Sequence, residues 1–136
     1  MKARYLLDVN ALVGLLWDVH SLHARSHAWF EREKPEVFGC VFTELSFLRV
    51  SMADKTIAAS FADASQILDN FTISLGSRYH FIEKLPPAKI LQMHPSSGQK
   101  QVSDWYLCEL AKAHGLRLAT LDAGIKHASA FLIASP

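Results

Sequence analysis

Little in this chain supports disulfide or thiol-redox chemistry. Its 136 residues contain two cysteines, Cys40 and Cys108, with no CxxC spacing. They read as two buried, reduced thiols of a cytosolic protein. Long apolar runs are also missing. None approaches the roughly 18 residues a membrane span requires, so no membrane role is expected. The first apolar run is cut by Asp8 too early to act as a signal peptide. An excess of charge of one sign is missing as well. The net charge is +1 with histidine neutral, which neither demands nor excludes a nucleic-acid partner. No internal repeat, low-complexity tract or linker divides the chain. What the sequence does have is hydrophobicity: 50% of residues are hydrophobic and 20% charged. That balance fits a globular chain, and the length fits one domain over residues 1–136.

The hydrophobic pattern alternates between short apolar runs and helical periodicity. Residues 3–7 predict a buried strand, and 10–16 a helix with Asn10 as its N-cap. Residues 20–34 predict a second helix, with Leu22, Trp29 and Phe30 on one face and Pro35 ending it. A strand is expected at 36–42, followed by a helix opening at Thr43 that carries Leu45, Leu48 and Met52 at helical spacing. Residues 56–71 predict another helix, with Ile57, Phe61, Ala64 and Leu68 aligned. A strand at 79–83, a short proline-led helix at 86–93 and a loop at 94–100 follow. The helix at 103–115 has Ser103 to cap it and Gly115 to end it. Strands at 116–121 and 130–135 complete the chain. Short buried strands alternating with helices predict a parallel sheet between helical layers, a three-layer α/β/α fold.

The acids fall at particular points of this pattern. Asp8 ends the first strand, Glu44 begins the helix after the second, Asp104 opens the helix 103–115, and Asp122 follows the strand 116–121. In a parallel α/β sheet, ligands bind at the carboxyl ends of the strands and at the adjoining helix N-termini. Each acid alone also suits a first helical turn, where the dipole and free N–H groups favour it. Together they would repel and raise one another's pKa, unless a cation fills the space between them. Hard divalent cations take such oxygen ligands, and Mg²⁺ beside a phosphodiester makes a hydrolysis site.

The segments "LLDVNALVGLLW" (6–17), "TELSFLRV" (43–50) and "QVSDWYLCELAKAHGLRLATLD" (101–122) resemble the PIN-domain family, and within it the VapC-type toxins of toxin–antitoxin pairs. The likeness spans nearly the whole chain and is weakest between about 54 and 98. It implies an α/β/α nuclease with a parallel sheet of four to five strands, holding Mg²⁺ or Mn²⁺ and hydrolysing RNA to a 3′-hydroxyl and a 5′-phosphate. Carried over by motif, Asp8, Glu44, Asp104 and Asp122 would form the acidic site, with Asp8, Asp104 and Asp122 as metal ligands. Thr120 matches the Thr-x-Asp motif and would hydrogen-bond within the site. Asn10 matches a polar position after the first acid, alongside its reading as a plain N-cap. The resemblance further implies a cytoplasmic homodimer silenced by a cognate antitoxin protein. Apolar candidates for those surfaces are Leu15, Leu16, Trp17, Phe47 and Leu48.

Other features carry two readings each. Trp105, where the family often has a small residue, either packs in the core or stacks on an unpaired base. His20, His23 and His27 would share one helix face, as a solvated surface or, with too few further ligands in view, a zinc site. Arg49 is a candidate RNA or partner contact as well as a surface ion pair. Lys84, Lys89 and Lys100 either rim a phosphate site or are scattered solvated lysines. A haloacid-dehalogenase-like phosphatase would need a second acid where Asn10 stands. A receiver-like module would need a lysine closer to a late strand than Lys126. A housekeeping PIN nuclease or a non-catalytic acid-pocket module remain the alternatives to a toxin.

Overall fold

The computed structural model describes residues 2–90 and 101–135. Its strands are β1 (Arg4–Leu7), β2 (Glu36–Cys40), β3 (Tyr79–Ile82), β4 (Arg117–Thr120) and β5 (Ala130–Leu132). Its helices are α1 (Val9–Leu16), α2 (His23–Glu33), α3 (Val41–Ala53), α4 (Phe61–Leu75) and α5 (Val102–Ala113). The described strands form one sheet in the order β3-β2-β1-β4-β5, and every pairing is parallel. That is the three-layer α/β/α arrangement expected, with five strands.

The two helical layers follow from the period-two alternation of strand side chains. On β1, Tyr5 and Leu7 face a core built with α1 to α4, where Trp29, Phe47 and Leu68 are buried. Leu6 points the other way, into a second core with Leu107, Cys108 and Leu110 of α5. β4 repeats this division, with Ala119 on the first side and Leu118 on the second. Both cysteines are buried and free. Glycine is required where layers come close. A Cβ on Gly14 would stand 2.7 Å from Ser26 Oγ, and one on Gly39 would collide with the Tyr79 hydroxyl.

Several boundaries differ from the sequence expectation, each for a local reason. α2 starts at His23, because residues 17–22 form a turn in which the His20 N–H donates to the Trp17 carbonyl at 3.1 Å. α4 starts at Phe61 rather than residue 56. Asp54 Oδ1 takes the N–H groups of Thr56 and Ile57 into a turn, and Ser60 Oγ caps the helix through Asp63 N–H at 3.0 Å. Phe61, expected on the buried face, is 58% exposed. The helix expected at 86–93 is a single 3₁₀ turn at Ala88–Ile90 in its described part. Residues 91–93, the predicted loop 94–100 and Lys100 lie outside the described residues. α5 begins one residue before Ser103, which provides no cap. The final strand ends at Leu132.

Of the apolar residues offered as partner surfaces, two are interior, and Leu16, Trp17 and Leu48 are half-buried. Leu15 and Phe47 are buried, and the Trp17 ring stacks on Phe47 with its indole N–H on Ser51 Oγ at 2.8 Å. The exposed apolar stripe is instead Leu45, Met52 and Phe61, along α3 and the start of α4. Among the described residues, no helix is long and apolar enough to cross a membrane.

Candidate active site

β1 and β4 are neighbours, so the residues that follow them meet at one edge of the sheet. Asp8 leaves β1 and caps α1: its Oδ1 accepts the Val9 N–H at 2.8 Å. Asp8, not Asn10, is therefore the N-cap. Oδ2 accepts the Thr120 hydroxyl at 2.6 Å, and the Asp8 N–H donates to the Ala119 carbonyl at 2.9 Å. Thr120 Oγ1 in turn accepts the Asp122 N–H at 3.1 Å. Asn10 lies inside α1, and its Oδ1 accepts the Leu121 N–H at 3.0 Å, tying α1 to the end of β4. Asp122 is exposed and closes its own turn by accepting the Gly124 N–H at 2.7 Å.

A cleft of about 340 Å³ opens over Asp8 and Asn10. It is lined by Asp8, Asn10 and Val13 of the first strand–helix unit and by Ser46 and Arg49 of α3. His20 of the α1–α2 turn and Ser103 and Asp104 at the start of α5 also line it. Burial raises the Asp8 carboxyl, against the pull of the Thr120 and Val9 hydrogen bonds, and Asp122 adds to the rise. Asp104 is pushed up to about 6, first by burial and then by Asp8 and Asp122. Three carboxylates are thus close enough to sense one another. Among the described residues, however, no three His, Cys, Asp or Glu side chains form a ready-made metal cage. The donors still fit a magnesium-like ion, which takes one or two carboxylates and fills its remaining positions with water.

Glu44 does not join these acids. It lies on the side of α3 that packs against α4, beside Leu48, Leu68 and Thr72, and it accepts the Tyr79 hydroxyl at 2.7 Å. The reason is helical phase. Ser46 and Arg49 face the cleft, and at 100° per residue Glu44 points well away from both. The α3 residues that line the cleft include Ser46, a buried serine that no sequence motif marks.

The remaining candidates separate as well. Arg49 lines the cleft and forms no ion pair among the described residues. Trp105 meets His127 edge-on, with ring centroids 4.6 Å apart; the His127 Nδ1 accepts the Ser129 N–H, so its Nε2 donates to Glu109 at 2.8 Å. The three histidines do not share a helix face, because His20 precedes α2. His23 donates through Nδ1 to the Gly14 carbonyl at 2.8 Å, and His27 lies near Glu31. Lys84 and Lys89 are exposed. Ser46 and His20 left no motif signal; the phase of α3 and the turn before α2 bring them to the cleft.

An open α/β sheet binds its ligands at the carboxyl edge of its strands, where these carboxylates lie. Comparison with known proteins gives the family. A family model for the PIN domain matches residues 5–130. The chain is 37% identical over 128 residues to Ribonuclease VapC38 of Mycobacterium tuberculosis, covering 88% of this chain and 86% of that protein. It is 34% identical over 128 residues to Ribonuclease VapC44 of the same species, covering 90% and 88%. The crystal structure of Mycobacterium tuberculosis VapC20, titled a Sarcin-Ricin loop cleaving toxin, shares the fold with a TM-score of 0.68 at 12% identity, over 97% of this chain and 99% of that one. The chain belongs to the PIN-domain family.

Proposed function

We propose that this protein is an endoribonuclease that hydrolyses RNA phosphodiester bonds with Mg²⁺ or Mn²⁺, as the toxin of a toxin–antitoxin pair. The observation that carries this reading is that Asp8 and Asp104 share one cleft, with Asp122 near enough to raise both, in a chain related to ribonucleases named VapC. A divalent cation there would supply Lewis acidity, making water a competent nucleophile and neutralising charge on the phosphate. Asp8 and Asp104 are the direct ligands in this reading, and Asp122, the most exposed of the three, orients water from the rim. Thr120 and the Val9 N–H keep the Asp8 carboxylate from turning. Arg49 pairs with phosphate oxygens, a geometry its planar guanidinium suits. The attacking group is water, so no side-chain nucleophile is needed.

The same reading supplies a partner. An antitoxin would silence the site by laying an arginine on the carboxylates, since a guanidinium pairs two oxygens at once. An apolar groove of about 510 Å³, lined by Leu45, Leu48, Met52 and Phe61, shares Phe42, Ser46 and Arg49 with the acid cleft. Such exposed apolar surface marks partner sites, and it would anchor the antitoxin segment leading to the cleft. The protein works as a cytoplasmic homodimer in this account; light scattering at micromolar concentration tests that, and a clean monomer would count against it. The experiment for the activity is cleavage of single-stranded RNA by the purified chain with and without Mg²⁺. Cleavage only with the metal supports the reading, and absence of any cleavage refutes it.

A further inference from the structure

One titratable side chain in the cleft has no part in that account. His20 lies in the turn between α1 and α2 and lines the cleft together with Asp8, Asn10, Arg49 and Asp104. The turn holds it on both sides: its N–H donates to the Trp17 carbonyl at 3.1 Å, and its carbonyl accepts the His23 N–H at 3.0 Å. The ring is held too, because Nδ1 accepts the Leu22 N–H at 3.1 Å. A nitrogen that accepts carries no proton, so the ring proton is on Nε2. Among the described residues, Nε2 has no hydrogen-bond partner.

This tautomer decides what the ring can bind. A metal needs a lone pair on an imidazole nitrogen. The lone pair of Nδ1 is used by Leu22, and Nε2 presents N–H instead. The cleft around it holds the Asp8 and Asp104 carboxylates, the Arg49 guanidinium and the Asn10 amide, whose oxygen is already taken by Leu121. An anion with acceptor oxygens would complement His20 and Arg49 together, and a phosphodiester strand provides them on every nucleotide.

We propose that His20 donates its Nε2–H to a phosphate oxygen of the bound nucleic-acid strand, gripping it from the α1–α2 turn while Arg49 grips it from α3. The inference rests on the nuclease reading and adds a substrate contact to it.

The test compares wild type, His20→Asn, His20→Gln and His20→Ala in steady-state cleavage of single-stranded RNA with Mg²⁺. Mn²⁺ binding and thermal unfolding are measured on the same proteins. An asparagine oxygen two residues before Leu22 N–H can remake the turn bond. His20→Asn should therefore unfold at the wild-type temperature, yet lose roughly 10- to 100-fold in kcat/KM, the scale of a lost charge-assisted hydrogen bond. The loss should fall mainly on KM, because a phosphate contact is made before the transition state as well as in it. His20→Gln reaches the Nε2 position with an amide N–H and should recover part of the loss; His20→Ala should lose both turn stability and cleavage. Mn²⁺ affinity should stay at the wild-type value in all three. Wild-type efficiency in His20→Asn would reduce His20 to a turn-former and overturn the proposal, and weakened Mn²⁺ binding in His20→Asn would overturn it in favour of a metal ligand. Wild-type protein that cuts no RNA would remove the nuclease reading, and this proposal with it.

Discussion

The Thr120 hydroxyl donates to Asp8 Oδ2 at 2.6 Å, joining residues 112 positions apart in the chain. Both are buried, at the ends of the neighbouring strands β4 and β1. Thr120 Oγ1 also accepts the Asp122 N–H. One hydroxyl thus orients the most buried acid and starts the turn that carries a second. Thr120→Val preserves the shape and removes both bonds, leaving a buried carboxylate oxygen short of a donor. It should destabilise the protein by about 1–3 kcal/mol and slow RNA cleavage, while Thr120→Ser keeps both properties. Denaturant unfolding and cleavage assays check this; a valine variant equal to wild type in both would contradict it.

Glu44 provides the sharpest separation between motif and geometry. Its carboxylate is occupied by Tyr79, whose ring crosses a strand at a point where only glycine, Gly39, leaves room. Glu44→Gln should retain cleavage to within a factor of about 2, as substitutions away from a site usually do. Asp8→Asn and Asp104→Asn should abolish cleavage and remain folded. Loss of activity in Glu44→Gln, with its unfolding midpoint unchanged, would restore Glu44 to the site.

Crowded carboxyls make a stability prediction with a definite sign. Asp104 is raised to about 6 in the fold, above its ordinary value of 3.8, by burial and then by Asp8 and Asp122. A carboxyl raised on folding binds protons more tightly in the native state, so its contribution is full below the unfolded pKa and is lost as pH rises through the folded one. Metal-free protein should therefore lose stability between about pH 4 and pH 6 from this group. Asp104→Asn should flatten that slope and raise metal-free stability at pH 7.5 by up to about 1 kcal/mol, discounted because the carboxyl is partly in solvent. Thermal unfolding in chelator checks it; a variant less stable than wild type at pH 7.5 would contradict it. Cleavage at limiting Mg²⁺ should fall as pH drops through about 6, where protons displace the ion.

If the antitoxin anchors in the apolar groove as proposed, toxicity and neutralisation should be separable. Induced without a partner, the wild-type chain should arrest growth, and Asp8→Asn should not. Phe61→Glu places a charge on a ring that is already 58% exposed. It should leave growth arrest intact while weakening rescue by the antitoxin. Rescue of Phe61→Glu at wild-type antitoxin levels would exclude the groove as the antitoxin's anchor.

The sheet was legible in the sequence because buried parallel strands read as short apolar runs, and their ends fall where Asp8 and Asp122 interrupt them. The α3 side of the cleft was not. A spacing of two residues separates Glu44 from Ser46, and on a helix that turns a side chain through about 200°; the motif match followed the acid rather than the phase. The start of α4 was hidden because Asp54 and Ser60 suit either a helix or a turn, and the turn at 54–57 won through two side-chain bonds. Of the apolar residues that the sequence offers as partner surface, Leu48 lines the groove, while Leu15 and Phe47 are buried. Composition could not tell buried Phe47 from exposed Leu45, since both are apolar residues of one helix.

The most direct test of the account is cleavage of a single-stranded RNA by the purified wild-type chain and by Asp8→Asn, each assayed in Mg²⁺, in excess chelator, and after Mg²⁺ is restored. The account predicts cutting by wild type with the metal, none in chelator, recovery on restoration, and none by Asp8→Asn under any of the three conditions. Full wild-type cleavage in excess chelator, or wild-type rates from Asp8→Asn, would contradict it.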